Sequence, residues 1–119
     1  MWAIDRSASF AGWIKALDLD GKEAIYKNLL LLRSIGPSLG RPYVDLVARS
    51  RYPNMKELRV QNKQRLFRIL FAFDPRRTAI LLAGGDKRGD KRFYERMIPL
   101  ADSLFERHLA ELERRHEKK

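Results

Sequence analysis

The chain lacks cysteine altogether, has two histidines in 119 residues, and contains no uninterrupted apolar run near the roughly 18 residues that a membrane span needs. The missing cysteine excludes a disulfide framework, a thiolate nucleophile and Cys-based metal sites, and fits a reducing cytosol. His108 and His116 stand eight apart near the C-terminus with no further Cys or His to complete a zinc site, so no metal and no cofactor are expected. The opening residues 1–6 show no basic segment followed by an apolar core, so no secretory signal is expected. Acidic residues are scarce in one place. Residues 41–92 hold 14 Lys and Arg against 5 Asp and Glu, a net of +9 out of +10 for the whole chain.

That concentration of charge points to a polyanionic partner. It coincides with hydrophobic runs that read as strands, so the basic surface belongs to a folded sheet with fixed geometry, which phosphate recognition or phosphate chemistry requires. No helix in the region is basic on one side and apolar on the other, so nucleic acid is the expected partner and a membrane surface is not. At this length a single domain over 1–119 is expected, burying roughly 65% of its unfolded surface, with residues 113–119 as a frayed tail.

Residues 2–5 read as a short edge strand, and Ser7 as the N-cap of a helix carrying Phe10, Trp13, Ile14 and Leu17. Asp20 and Glu23 have capping-box spacing ahead of a second helix with Ile25, Leu29, Leu32 and Ile35 inward, stopped by Gly36-Pro37. Residues 36–54 hold three of the five prolines and are expected to form a long ordered loop. Strands follow at 55–60, 66–73 and 78–84, the last two joined by an Asp74-Pro75-Arg76-Arg77 turn. A helical turn at 93–97 should precede a final helix that begins at Pro99. The order βααβββα gives an α+β domain: a small, mainly antiparallel sheet, helices packed on one face, and an open basic face.

Alternation on the central strand puts Phe67, Ile69, Phe71 and Phe73 in the core and leaves Arg68 on the opposite face. With the preceding turn centred on Lys63-Gln64, Arg59 stands across from Arg68. Like charges facing one another are unfavourable by about 0.2–1 kcal/mol, which an anion between them would relieve. They can equally be solvated, or Glu57 can neutralise one of them. The run from Asp86 to Arg96 sets Lys87, Arg88, Lys91 and Arg92 beside Phe93 and Tyr94, a composition that suits a nucleic-acid strand and equally a salt-bridged loop. Gly84-Gly85-Asp86-Lys87-Arg88-Gly89 lacks the Gly-Lys-Ser/Thr ending of a P-loop. With no histidine nearby, catalysis here falls to Arg, Lys, Tyr, Asp or Glu.

The strings Asn54-Met55-Lys56-Glu57-Leu58-Arg59, Phe67 through Pro75, Leu81 through Lys87, and Tyr94 with Ile98-Pro99-Leu100-Ala101-Asp102 resemble the HigB-like, phage-derived branch of the RelE/HigB superfamily. Gly36 through Pro42 resembles it too. These toxins belong to type II toxin–antitoxin modules, and the resemblance covers about residues 20–110. It implies a RelE-like fold and a cytoplasmic, ribosome-dependent mRNA endoribonuclease that works without metal through attack of the RNA's 2′-OH. Arg68, Arg88 and Tyr94 match the family's catalytic positions, with Lys56, Arg59, Lys87, Lys91 and Arg92 as further RNA and phosphate ligands. Where the RelE pattern carries two lysines two apart, this chain has Glu57 and Arg59, so Glu57 is either a base or an organiser of Arg59. The implied partners are the ribosome with its mRNA and a small antitoxin of helix-turn-helix type. Two other functions compete with this reading. One is a gyrase poison of ParE type, which lacks the Arg/Tyr set, and the other is an RNA-binding module without catalysis.

Overall fold

The protein is described here by a computed structural model covering residues 1–117. Strand β1 (Ile4–Arg6) is followed by helices α1 (Ala8–Lys15) and α2 (Leu19–Ile35), a 3-10 turn (Gly36–Ser38), strands β2 (Val44–Leu46), β3 (Lys56–Asn62), β4 (Arg65–Phe73) and β5 (Ala79–Asp86), and helix α3 (Phe93–Glu117). The sheet order is β1-β5-β4-β3-β2, with β1 parallel to β5 and every other pair antiparallel. The α+β architecture and the three-stranded meander are as the sequence reading expected.

Local chemistry explains the boundaries. Ser7 caps α1 by accepting the Phe10 N–H at 3.1 Å, and its hydroxyl donates to the Leu82 carbonyl at 2.6 Å, fixing the helix to β5. The cap of α2 is Asp18, not the expected Asp20. Asp18 accepts the Gly21 N–H and Arg65 Nη1, both at 2.9 Å, whereas Asp20 lies in the first turn and pairs with Lys63. The expected loop at 36–54 contains β2, three residues paired with β3 as Val44↔Leu58, Asp45↔Glu57 and Leu46↔Lys56. Three residues between prolines are too few to display an alternation.

The core has two sides. Phe10, Ile14, Ile25 and Leu32 pack with Leu58, Val60, Phe67, Ile69 and Phe71 on one face of the sheet. On the other face Leu70, Ala72, Ile80 and Leu82 are covered by Phe93, Met97, Ile98, Ala101 and Phe105 of α3. The sequence reading placed helices on one face only; α3 instead covers part of the face expected to be open, because Leu70, Ala72, Ile80 and Leu82 also need burial. Nor does α3 start at Pro99. Pro99 sits inside one continuous helix, where it and Glu95, whose carbonyl loses its bond, are both exposed to water. The helix runs through the residues expected to fray as far as Glu117, and Lys118 and Lys119 of that expected tail lie outside the described residues. No helix among the described residues is long and apolar enough to cross a membrane.

At Gly84-Gly85 strand β5 runs between two rings. A Cβ on Gly84 would meet Trp13 at 2.4 Å, and one on Gly85 would meet Phe93 at 2.9 Å. Gly84→Ala must displace the Trp13 ring, and is expected to destabilise by about 1–3 kcal/mol, read as a lowered Tm in thermal unfolding.

In the turn between β4 and β5, buried Asp74 accepts the N–H groups of Arg76 and Thr78, two bonds from the Arg76 guanidinium, and lies 2.9 Å from His108 Nε2 on α3. Burial alone would raise this carboxyl, but the bonds from His108, Arg76 and Thr78 outweigh it and hold it below its ordinary 3.8. A depressed folded value means that the unfolded chain binds more protons at low pH. The contribution is therefore complete above pH about 4 and disappears as the pH falls through the folded value. Asp74→Asn should cost about 3 kcal/mol at pH 7 and flatten the loss of stability on acidification, measured by denaturant unfolding between pH 7 and pH 3.

Candidate active site

The two-residue turn Lys63-Gln64, with Lys63 at φ 58°, sets the register in which Arg59 faces Arg68 and Glu57 faces Leu70. On the next strand Arg68 stands opposite Gly85, whose missing side chain leaves that position to Phe93 of α3. Tyr94 follows Phe93, and its hydroxyl donates to Glu57 Oε1 at 2.6 Å. Arg59 donates to the other carboxylate oxygen, Nε at 3.1 Å and Nη2 at 3.0 Å, and reaches Asp45 of β2 at 3.3 Å. Both oxygens of Glu57 are thus occupied, and the residue is only 3% exposed.

Burial, the bond to Glu57 and the charge of that carboxylate, in that order, push the Tyr94 phenol up to about 12, against a smaller pull downward from Arg68. Arg68 donates from Nη1 to the Phe67 carbonyl at 3.0 Å, and its Nε is buried with no hydrogen-bond partner. An unpaired buried donor is costly, about 1–3 kcal/mol, and rare in native structures.

Above this cluster a groove of about 580 Å³ opens between Leu46–Arg49 on one bank and Lys91, Tyr94, Glu95, Ile98 and Pro99 on the other, with Glu57 and Arg59 in its lining. Lys87 Nζ lies 5.8 Å from the centre of the Tyr94 ring, while Phe93 meets that ring edge-on.

Of the residues singled out from sequence, Glu57, Arg59, Arg68 and Tyr94 come together, with Lys87 and Lys91 at the rim. Arg88 does not join them directly: it is exposed beside the β3–β4 turn, where Nη1 donates to Gln64 Oε1 at 2.7 Å. Arg92 is exposed and its side chain makes no ion pair among the described residues. Lys56 points to the opposite face, where Nζ donates to the Pro37 carbonyl at 3.0 Å and lies over Phe73, and burial lowers its pKa. It is therefore not a groove residue, a consequence of strand alternation that separates it from Glu57 and Arg59. Sequence reading missed Asp45 and Arg49. Asp45 alone carries negative charge between Glu23 and Glu57, which is a signal that an arginine nearby would need it.

Residues 12–106 match the family model described as phage derived protein Gp49-like. The chain belongs to this family. It is 50% identical over 99 residues to HigB3 of Mycobacterium tuberculosis, covering 82% of this chain and 85% of that protein. It is 44% identical over 114 residues to HigB2 of the same organism, covering 94% of this chain and 56% of that longer protein. Both relatives are named as toxins. Among solved structures, the intact Escherichia coli RelBE toxin–antitoxin complex matches with a TM-score of 0.50 at 11% identity, covering 71% of this chain and 95% of that one, a likeness of fold. This Gp49-like chain is thus HigB-like in sequence and RelE-like in architecture.

The Tyr94–Glu57 bond has a spectroscopic consequence. Phenolate absorbance followed against pH should contain a phase near about 12 that is missing from Tyr94→Phe. Glu57→Gln should move that phase to lower pH, because a charge that opposes the phenolate is gone.

Proposed function

We propose that the protein is the toxin of a type II toxin–antitoxin pair, a ribosome-dependent endoribonuclease that cuts mRNA without a metal, and that it works in the cytoplasm under the control of a cognate antitoxin. The observation that carries this reading is the joining of Tyr94, Glu57, Arg59 and Arg68 beside a groove whose banks add Arg49 and Lys91.

The reaction transfers a phosphoryl bond: the 2′-oxygen forms a bond to phosphorus, the bond from phosphorus to the 5′-oxygen breaks, and a 2′,3′-cyclic phosphate and a 5′-hydroxyl result. It requires an acceptor for the 2′ proton and positive charge around a phosphorane-like transition state. Glu57 is too deeply buried to meet RNA directly, so a proton reaching it travels through the Tyr94 hydroxyl. Tyr94 accepts the 2′ proton while giving its own to Glu57 Oε1, a relay in which neither the phenolate nor a free buried carboxylate has to persist. The edge-on Phe93 and the nearby Lys87 crowd the Tyr94 ring, which favours proton transfer over base stacking. Arg68, half-buried as a residue although its Nε is covered, turns the exposed part of its guanidinium to the phosphate. Arg88, freed from Gln64, neutralises charge on the departing 5′-oxygen until water protonates it. Lys91 and Arg49 on the groove's banks hold flanking phosphates.

In a reconstituted translation reaction with message ends mapped by primer extension, the wild type is expected to cut at ribosome-occupied codons. Arg68→Ala should lower cleavage about 100-fold or more, and Tyr94→Phe by a similar factor, while both still bind ribosomes. An intact message with translation unimpaired at low salt would contradict the reading and favour a non-nucleolytic toxin or a simple RNA binder.

A further inference from the structure

The bank of the groove that carries Arg49 is mostly loop. Strand β2 ends at Leu46, and just beyond it the Val47 N–H donates to the Met55 carbonyl at 2.9 Å. Residues 48–54 then leave the sheet, with Arg49 exposed near their start and Asn54 tacked to the Phe73 carbonyl at 3.1 Å. If this tip were loose, RNA binding would have to offset the cost of ordering it.

What holds the tip is α3. Asp102 accepts the Ser50 hydroxyl on Oδ1 and the Arg51 N–H on Oδ2, the latter at 3.1 Å. The Ser50 oxygen accepts in turn from the Tyr52 N–H at 3.0 Å, and the Tyr52 ring stands edge-on to Phe105 with centres 5.0 Å apart. Arg51 also reaches Glu106 at 2.7 Å, but both side chains are exposed and such a pair is worth little.

Asp102 is a costly residue for this place. It is only 7% exposed and makes no ion pair among the described residues, so a buried carboxylate is held by a neutral hydroxyl and an amide. Replacing such a group and its partners with apolar side chains of the same shape is nearly neutral or stabilising, so stability alone does not call for it. The carboxylate adds direction, because bonds to two adjacent loop residues fix how the loop leaves the sheet.

Its position on the helix ties that bond to the site. Tyr94, Ile98, Asp102 and Glu106 follow at intervals of four along one stripe of α3. The first two line the groove, and Asp102, one turn beyond Ile98, grips the opposite bank immediately after Arg49. Asp102 is thus a direct tie between the two walls.

We propose that Asp102 is a positioning residue of the RNA groove: through Ser50 and Arg51 it sets the spacing of the banks and presents Arg49 to a phosphate beside the cut. The inference rests on reading this groove as the RNA site of a nuclease. Asp102 does not touch RNA itself. Its loss weakens binding through Arg49 and leaves the relay of Tyr94 and Glu57 at its own rate.

The test separates kcat from KM for cleavage of ribosome-bound message by the wild type, Asp102→Ala, Ser50→Ala, Arg49→Ala and the double variant Arg49→Ala/Asp102→Ala. Asp102→Ala should raise KM about 10-fold with kcat within about twofold, and Ser50→Ala should do the same more mildly. In the double variant KM should rise no further than in the worse single variant, because Asp102 acts through Arg49. Asp102→Asn can accept the Arg51 N–H and donate to the Ser50 oxygen, so it should restore most of the lost affinity. Thermal unfolding identifies a variant that fails to fold, and if Asp102→Ala does so the cycle is built on Ser50→Ala. The same proteins are titrated at low salt with a short 2′-O-methyl RNA, followed by fluorescence anisotropy, which reads the groove without cleavage. Losses from Arg49→Ala and Asp102→Ala that multiply in the double variant, or a fall in kcat with KM unchanged, would overturn the inference and leave the nuclease reading untouched. A protein that cuts no message yet binds the RNA, with the same non-multiplying losses, would support the positioning role and sink the nuclease. RNA binding that neither substitution weakens, or a wild type that neither binds nor cuts, would overturn the inference.

Discussion

Two arginines face each other in the middle of this sheet, and the site is organised around making that arrangement tolerable. Arg59 and Arg68 are direct cross-strand partners, fixed there by a two-residue turn that cannot slip without turning every core side chain outward. Arg59 is neutralised from two sides, by Glu57 on its own strand and Asp45 on the next. Arg68 is not: it spends one donor on a backbone carbonyl and keeps Nε buried and unmatched. The same carboxylate that quiets Arg59 also takes the Tyr94 proton donor, so one buried Glu57 fixes a phenol and a guanidinium and leaves the second guanidinium out of its reach.

The fold supplies this cluster by burying both faces of a five-stranded sheet. Two helices close one face and α3 closes part of the other, so the groove beside Glu57 and Tyr94 occupies only the part of the second face that α3 leaves uncovered. Gly84 and Gly85 permit it, because rings from α1 and α3 press on β5 from both sides at the point where Arg68 crosses. A side chain there would push α3, and Tyr94 with it, away from Glu57. The Asp74 clasp to His108 anchors the same helix two turns beyond Pro99, so the start of α3 is held in position along its length as well as at its tip.

The meander, its register and the Arg59–Arg68 pair were legible in the sequence because side-chain alternation has a period of two and the turn was short. The basic region was legible too, and resemblance singled out Arg68, Arg88 and Tyr94, of which the structure brings Arg68 and Tyr94 together and leaves Arg88 beside the β3–β4 turn. What was hidden has physical causes. β2 is only three residues long, Asp18 outcompetes Asp20 as a cap because Arg65 arrives from 47 residues away, and Pro99 is tolerated inside α3 because tertiary packing outweighs one missing hydrogen bond. Asp45 and Arg49 belong to the groove only through a strand that no local pattern announces. Lys56 illustrates the opposite case: adjacent to Glu57 in sequence, it is on the other side of the sheet in space.

The central claim is that the RNA supplies its own nucleophile and that Tyr94, Glu57 and Arg68 serve that attack. It is tested most directly with a ribosome-bound message carrying a single 2′-deoxynucleotide at a mapped cut site. The account predicts that this one substitution abolishes cleavage at that position, while toxin binding and cleavage at neighbouring ribonucleotide sites continue. Cleavage that persists at the 2′-deoxy position would mean that water or a protein group attacks the phosphate, and the roles assigned to these residues would be wrong.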